Sequence, residues 1–189
     1  MANISTTGFG LRPIKKVGQN DNNAALSEWG IAASSALISH HDMVKITGDG
    51  VVLVSGNTEQ YNLGSLNGAF YTDPTSNKPT WSNYWPNAVA ATDAVAFVTD
   101  DPMQMYEIMS ADTSFNTNEI GGCADGVAAV GTTPLFISKT KISATTSSSQ
   151  AQLKILGVSR DPDHSDTTVE GFALRVKINE HFITALGGV

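Results

Sequence analysis

The chain has one cysteine, Cys123, in 189 residues. No intrachain disulfide can form, and a catalytic thiol would need a partnered histidine. Cys123 lies in Gly-Gly-Cys-Ala-Asp, among small residues beside an apolar run, and reads as a small buried hydrophobe. Charge is scarce as well. Charged residues make up 15% of the chain, against about a quarter in ordinary domains. Ala, Ser, Thr, Gly and Asn take their place, which leaves a weakly solvated surface suited to burial against partners. Positive charge is scarcer than negative, with 11 Lys and Arg against 18 Asp and Glu and a net charge of −7. That argues against nucleic acid as a partner, because phosphate binding needs a basic footprint. No stretch approaches the roughly 20 apolar residues of a membrane helix, so no membrane partner is expected. Residues Met1 to Thr7 have neither the basic nor the apolar region of a signal peptide, which predicts synthesis in a cytoplasm without export by a classical N-terminal route.

Patterns that carry chemistry are also few. There is no Gly-x-Ser-x-Gly elbow, no phosphate-cradling loop ending in Lys-Ser/Thr, and no Cys/His zinc spacing. His40-His41-Asp42 places two imidazoles beside a carboxylate. Adjacent strand residues point to opposite faces, so the pair is expected not to converge and reads as a polar turn. Asp161, Asp163 and Asp166 alternate in a way that suits a hard cation. They lack the central Gly and terminal Glu of a calcium loop, and read as a capped turn. No enzyme activity, cofactor or metal is expected.

What the chain does have is strand signal. Met43–Ile46 and Val51–Val54 flank Thr-Gly-Asp-Gly and predict a hairpin. Residues 66–71, 94–98, 103–109, 153–158 and 172–178 predict further strands. Phe172, Leu174, Val176 and Ile178 alternate with Arg175 and Lys177 most clearly. Residues 31–38 read as a buried strand or a short helix. Asp-Pro at 73–74, 101–102 and 161–162 closes apolar runs as turn punctuation. Residues 20–23 read as a turn and 143–149 as a surface loop. The expected fold is an all-β antiparallel sandwich or barrel, with a jelly-roll order among the options.

Residues 1–20 contain Gly8, Gly10, Pro13 and Gly18 and carry Arg12, Lys15 and Lys16 without an acid. The rest holds 8 basic and 18 acidic residues, or −10. This predicts an extended arm (1–23) ahead of a single β domain (24–189). The arm reads either as a docking element for an acidic surface or as a frayed terminus. On the first reading, deleting residues 1–18 leaves the fold intact.

Residues 68–86 hold two of three Trp and two of four Tyr. Three readings stand: a loop whose aromatics plug the core, a protein interface, and a sugar-stacking platform built on Trp81, Tyr84 and Trp85. Across the chain, Thr7–Pro13, Tyr71–Pro74 with Lys78–Pro86, Ala96–Val98 with Asp100-Asp101-Pro102, and Ile178–His181 resemble small structural proteins of marine tailed phages. The resemblance implies a virion protein, and within that class a capsid cement (decoration) protein on the outside of the head. It implies a homo-oligomer, with a trimer favoured, and the major capsid protein as partner. A tail or head–tail connector subunit and a glycan-binding module are the alternatives. The expected contact residues are Phe9, Leu11, Arg12, Pro13, Lys15 and Lys16 in the arm, and Tyr71, Trp81, Tyr84 and Trp85 in the aromatic segment.

Overall fold

The computed structural model describes residues 3–18, 25–31, 35–47, 50–53, 61–87, 89–129, 131–143 and 151–184. The predicted turn at 20–23, the loop at 144–149 and residues 32–34 of the 31–38 run lie outside them. The protein is all-β: among the described residues 44% are strand and no helix reaches seven residues. Its antiparallel sheets curl into a half-barrel that fits the sandwich or barrel class.

Sheet A runs in the order β1 (Arg12–Lys16), β8 (Gln104–Met109), β13 (Ala173–Ile178), β12 (Leu153–Val158), β9 (Cys123–Ala124). Sheet B runs β2 (Ser27–Gly30), β7 (Val95–Thr99), β5 (Asn62–Asp73), β3 (Met43–Thr47), β4 (Gly50–Leu53), and β6 (Lys78–Ser82) pairs with the far end of β5. A two-stranded piece joins β10 (Gly126–Val127) and β11 (Lys141–Ile142). The β3–β4 hairpin forms as the Thr-Gly-Asp-Gly signal predicts. Alternation sends Leu153, Ile155, Leu174, Val176, Tyr106 and Ile108 into one core under sheet A. A second core under sheet B gathers Leu63, Leu66, Ala69, Tyr71, Trp85, Ala96 and Val98. The sheets are tied together. Tyr106 donates its hydroxyl to Thr99 O at 2.8 Å, and Met43 of sheet B packs in the sheet A core.

The arm departs from expectation. Its backbone is extended, but it lies within the body. Arg12–Lys16 completes sheet A as an edge strand on β8. Leu11 is fully buried. Its amide donates to His41 O, and its carbonyl accepts from Ser65 Oγ at 2.6 Å. Gly10 has φ +75°, and a Cβ there would collide with His41 O. Asn3 clamps the far end by donating to the carbonyls of Asp166 and Glu170. The reason is chemical. Leu11 has nowhere else to go, and an edge of β8 left open would expose unpaired backbone groups.

The His40–His41 expectation is corrected as well. The rings meet at 3.8 Å between centroids. His41 has φ +65°, so the chain turns there and strand alternation does not apply. Burial pushes the His41 imidazole down to about 3, helped by the neighbouring His40 and Arg12. Burial also pushes the adjacent Asp42 carboxyl up to about 6, although Ser39 N–H donates to it at 2.6 Å. The signs oppose each other. The unfolded chain takes up a proton on His41 below about 6.5 and the native chain does not, so stability falls with pH from 6.5 toward 3. Native Asp42 holds a proton that the unfolded chain releases above about 3.8, so stability rises as pH falls from 6 to 3.8. Each slope is at most about 1.4 kcal/mol per pH unit. We therefore expect Asp42→Asn to unmask the His41 slope. Its melting temperature should fall between pH 6.5 and 4, by up to about 3 kcal/mol of stability, more steeply than in the unmodified chain. Parallel pH dependences for the two proteins in thermal melts would contradict the assignment.

Candidate interaction surface

The aromatic segment begins as a hairpin, β5–β6, whose alternation separates Tyr71 from Phe70 and Trp81, and a bend after Ser82 then turns Trp85 back toward the core. Tyr71 and Trp85 go inward. Trp85 is completely buried and Tyr71 is 7% exposed, and the rings meet edge to face at 5.3 Å. Trp85 also exchanges backbone hydrogen bonds with Ile38 at 2.8 and 3.1 Å. These two residues are core, so their expected role as contact residues is withdrawn, as is that of buried Leu11.

Trp81 goes outward and is 52% exposed. It pairs across the hairpin with Phe70, which is 41% exposed and itself lies opposite Val95 of β7. Trp81 meets the Phe97 ring at 5.0 Å. Gly68 makes room for the indole, since a Cβ there would fall 2.6 Å from its Cζ2. Pro79 continues the row on β6. Pro79, Trp81, Phe70, Val95 and Phe97 thus form one apolar patch across three strands on the outside of sheet B.

A loop from residue 131 to 139 packs on the residues that follow β6. Tyr84 stacks on Phe136 at 4.1 Å and 20°. Asn83 donates its amide to Leu135 O at 3.3 Å. His40 holds the loop through Phe136 O and Ser138 N, and its ring contacts Asn67 O at 2.9 Å. Leu135 is 63% exposed. Behind it a cleft of about 320 Å³ is lined by Phe9, Pro134, Leu135, Ile137 and Lys139.

Two of the three basic arm residues are ion-paired within the chain. Arg12 binds Glu107 and Asp161, and its guanidinium lies 4.7 Å from the centre of the Phe9 ring. Lys16 pairs with Asp101 at 2.6 Å. Pro13 sits opposite Tyr106 and Lys15 opposite Met105. Asp161 caps a short 3₁₀ turn by accepting from Asp163 N at 3.1 Å, and Asp166 does the same for Thr168. The aspartates therefore behave as a capped turn. No group of three or more His, Cys, Asp or Glu suited to a metal occurs among the described residues. No helix among them is long and apolar enough to cross a membrane. Cys123 is buried.

Sequence reasoning found Trp81 and Tyr84 but missed Phe70, Phe97, Phe136 and Leu135. Phe70 and Phe97 were legible in principle from period-2 alternation, since their strand neighbours Ala69, Tyr71, Ala96 and Val98 are core. Phe136 and Leu135 reach the site through long-range loop packing, which has no local signal. Compared with family models, curated proteins and solved structures, the chain matches none.

Proposed function

We propose that this chain is a capsid cement protein. It docks on the outside of a tailed-phage head and stabilises the shell through protein contacts. The observation that carries this reading is the uncovered Pro79–Trp81–Phe70–Val95–Phe97 patch on a sheet otherwise alternating core and solvent. Contiguous exposed aromatics on a rigid sheet are the composition of a docking face. The resemblance to tailed-phage structural proteins supplies the shell and its major capsid protein as the partner. Arm residues Arg12 and Lys16 are already paired, so the aromatic face takes over the contact role assigned to the arm. A repeating lattice multiplies modest contacts, and a closed homo-oligomer such as a trimer engages several subunits at once.

A second reading, a glycan-binding module, draws on Trp81. Its indole rests on Gly68 and is half exposed, with Asn83 nearby in the chain. A flat aromatic ring beside an amide is the stacking platform sugars use.

Titrating purified protein onto undecorated heads tests both readings. Cement requires saturable binding at hundreds of copies per head, whereas a connector subunit would stop near a dozen. Trp81→Ala combined with Phe70→Ser should weaken each contact about 30-fold or more, as loss of a central aromatic anchor worth about 2 kcal/mol does. Undiminished head binding by this variant, or none by the unmodified chain, contradicts the reading. Glycan-array signals abolished by Trp81→Ala would favour the second.

A further inference from the structure

The outer face of sheet A concentrates positive charge in an acidic protein. Alternation that sends Leu153, Ile155, Leu174 and Val176 inward sends Lys154, Arg175 and Lys177 outward. Lys154 lies directly opposite Lys177 across β12 and β13. Lys177 is one step beyond the Val176–Tyr106 pair and so in line with Met105, which pairs with Lys15 on β1. Lys154, Lys177 and Lys15 therefore form one row across four strands, about 14 Å long at the usual strand spacing of about 4.8 Å. Arg175 and Arg12 flank Glu107 in the neighbouring row.

Five of the chain's 11 basic residues stand on this face. Its acids, Glu107 and Asp161, are both bound to Arg12. None of the ion pairs among the described residues involves Lys15, Lys154 or Lys177. Like charges directly opposite one another on neighbouring strands destabilise a sheet. The Lys154–Lys177 pair thus works against the isolated fold and is relieved when an anionic group sits over it. The stems lie half-buried along the sheet with Met105, which leaves the ammonium groups at the rim.

We propose that this row docks onto the acidic surface of a second copy of the same chain. Charge complementarity points to that occupant. Outside this face the chain retains 6 basic and 16 acidic residues, so each copy offers what the row of another lacks. The contact is heterologous, because a basic face meets a different, acidic one. Such contacts close into rings when the rotation permits. The proposal rests on the reading of the chain as a self-associating shell component and uses a face distinct from the aromatic patch.

Native mass spectrometry and sedimentation velocity across protein concentration and salt test it. The unmodified chain should associate in 50 mM salt and dissociate as salt approaches 1 M, where screening shortens to about 3 Å. Lys154→Glu or Lys177→Glu should weaken association about tenfold or more, as reversal of a close interfacial charge does. The same single swap replaces a like pair by an opposite one, so the variant should melt no lower than the unmodified chain, which excludes misfolding as the cause. Trp81→Ala should leave association unchanged and affect head binding alone. Association that is indifferent to both lysine swaps overturns the proposal while leaving head binding standing. A monomer at every salt and concentration that binds heparin or duplex DNA through the same lysines also overturns it, assigning the row to a polyanion.

Discussion

Deleting residues 1–18 should remove most of the protein's stability. The segment carries Leu11, fully buried between His41 and Ser65. Loss of a buried leucine costs about 2–5 kcal/mol. It also carries Arg12, the ion-pair partner of Glu107, whose carboxylate would be left with Ser159 alone. Breaking a buried pair costs about 3–5 kcal/mol, but the Arg12 side chain is 40% exposed, so about 1–2 kcal/mol is the better figure here. The β8 edge is uncovered in addition. The total, about 3–7 kcal/mol, is comparable to the whole stability of an average domain. Circular dichroism should show either no cooperative transition or a melting temperature lower by about 10 °C or more. A truncated chain that melts like the full one would mean that β1 is not part of the fold.

Trp85→Ala should cost about 3–5 kcal/mol, through lost burial and the cavity left among Tyr71, Ile38 and their neighbours. The melting temperature should drop by about 10 °C or more. Trp85→Phe should be much milder, because the indole Nε1 makes no hydrogen bond in that core. Trp81→Ala, four residues away, should cost about 1 kcal/mol or less, since half of the side chain is already in water. Comparable losses for the two Trp→Ala variants in denaturant titrations would contradict the division of the aromatic segment into core and face.

The strands were legible because period-2 alternation is a local property. Residues 153–158 match β12, and 172–178 contain β13. The β5–β6 hairpin was less legible: β6 is Lys-Pro-Thr-Trp-Ser, with a proline that suits only an edge strand. Trp81 and Trp85 were both visible as aromatics. Alternation alone would put both on one face; their opposite fates arise because β6 ends at Ser82, the chain bends at residues 83–84, and Trp85 then bridges to Ile38, 47 positions away. The arm misled for a similar reason. Its glycines and lysines suggested a free segment, but Gly10 serves a close approach to His41, and Lys16 and Arg12 have partners about 85 or more positions away. The lysine row of sheet A needed the strand order, which no local pattern contains.

The central claim is that the outer face of sheet B is the docking face. Imaging a decorated head at side-chain resolution tests it most directly. The account predicts Trp81 and Phe70 buried against a shell subunit, with Tyr71 and Trp85 unchanged in the core. A bound chain whose Trp81 and Phe70 face solvent, with another surface on the shell, would contradict it.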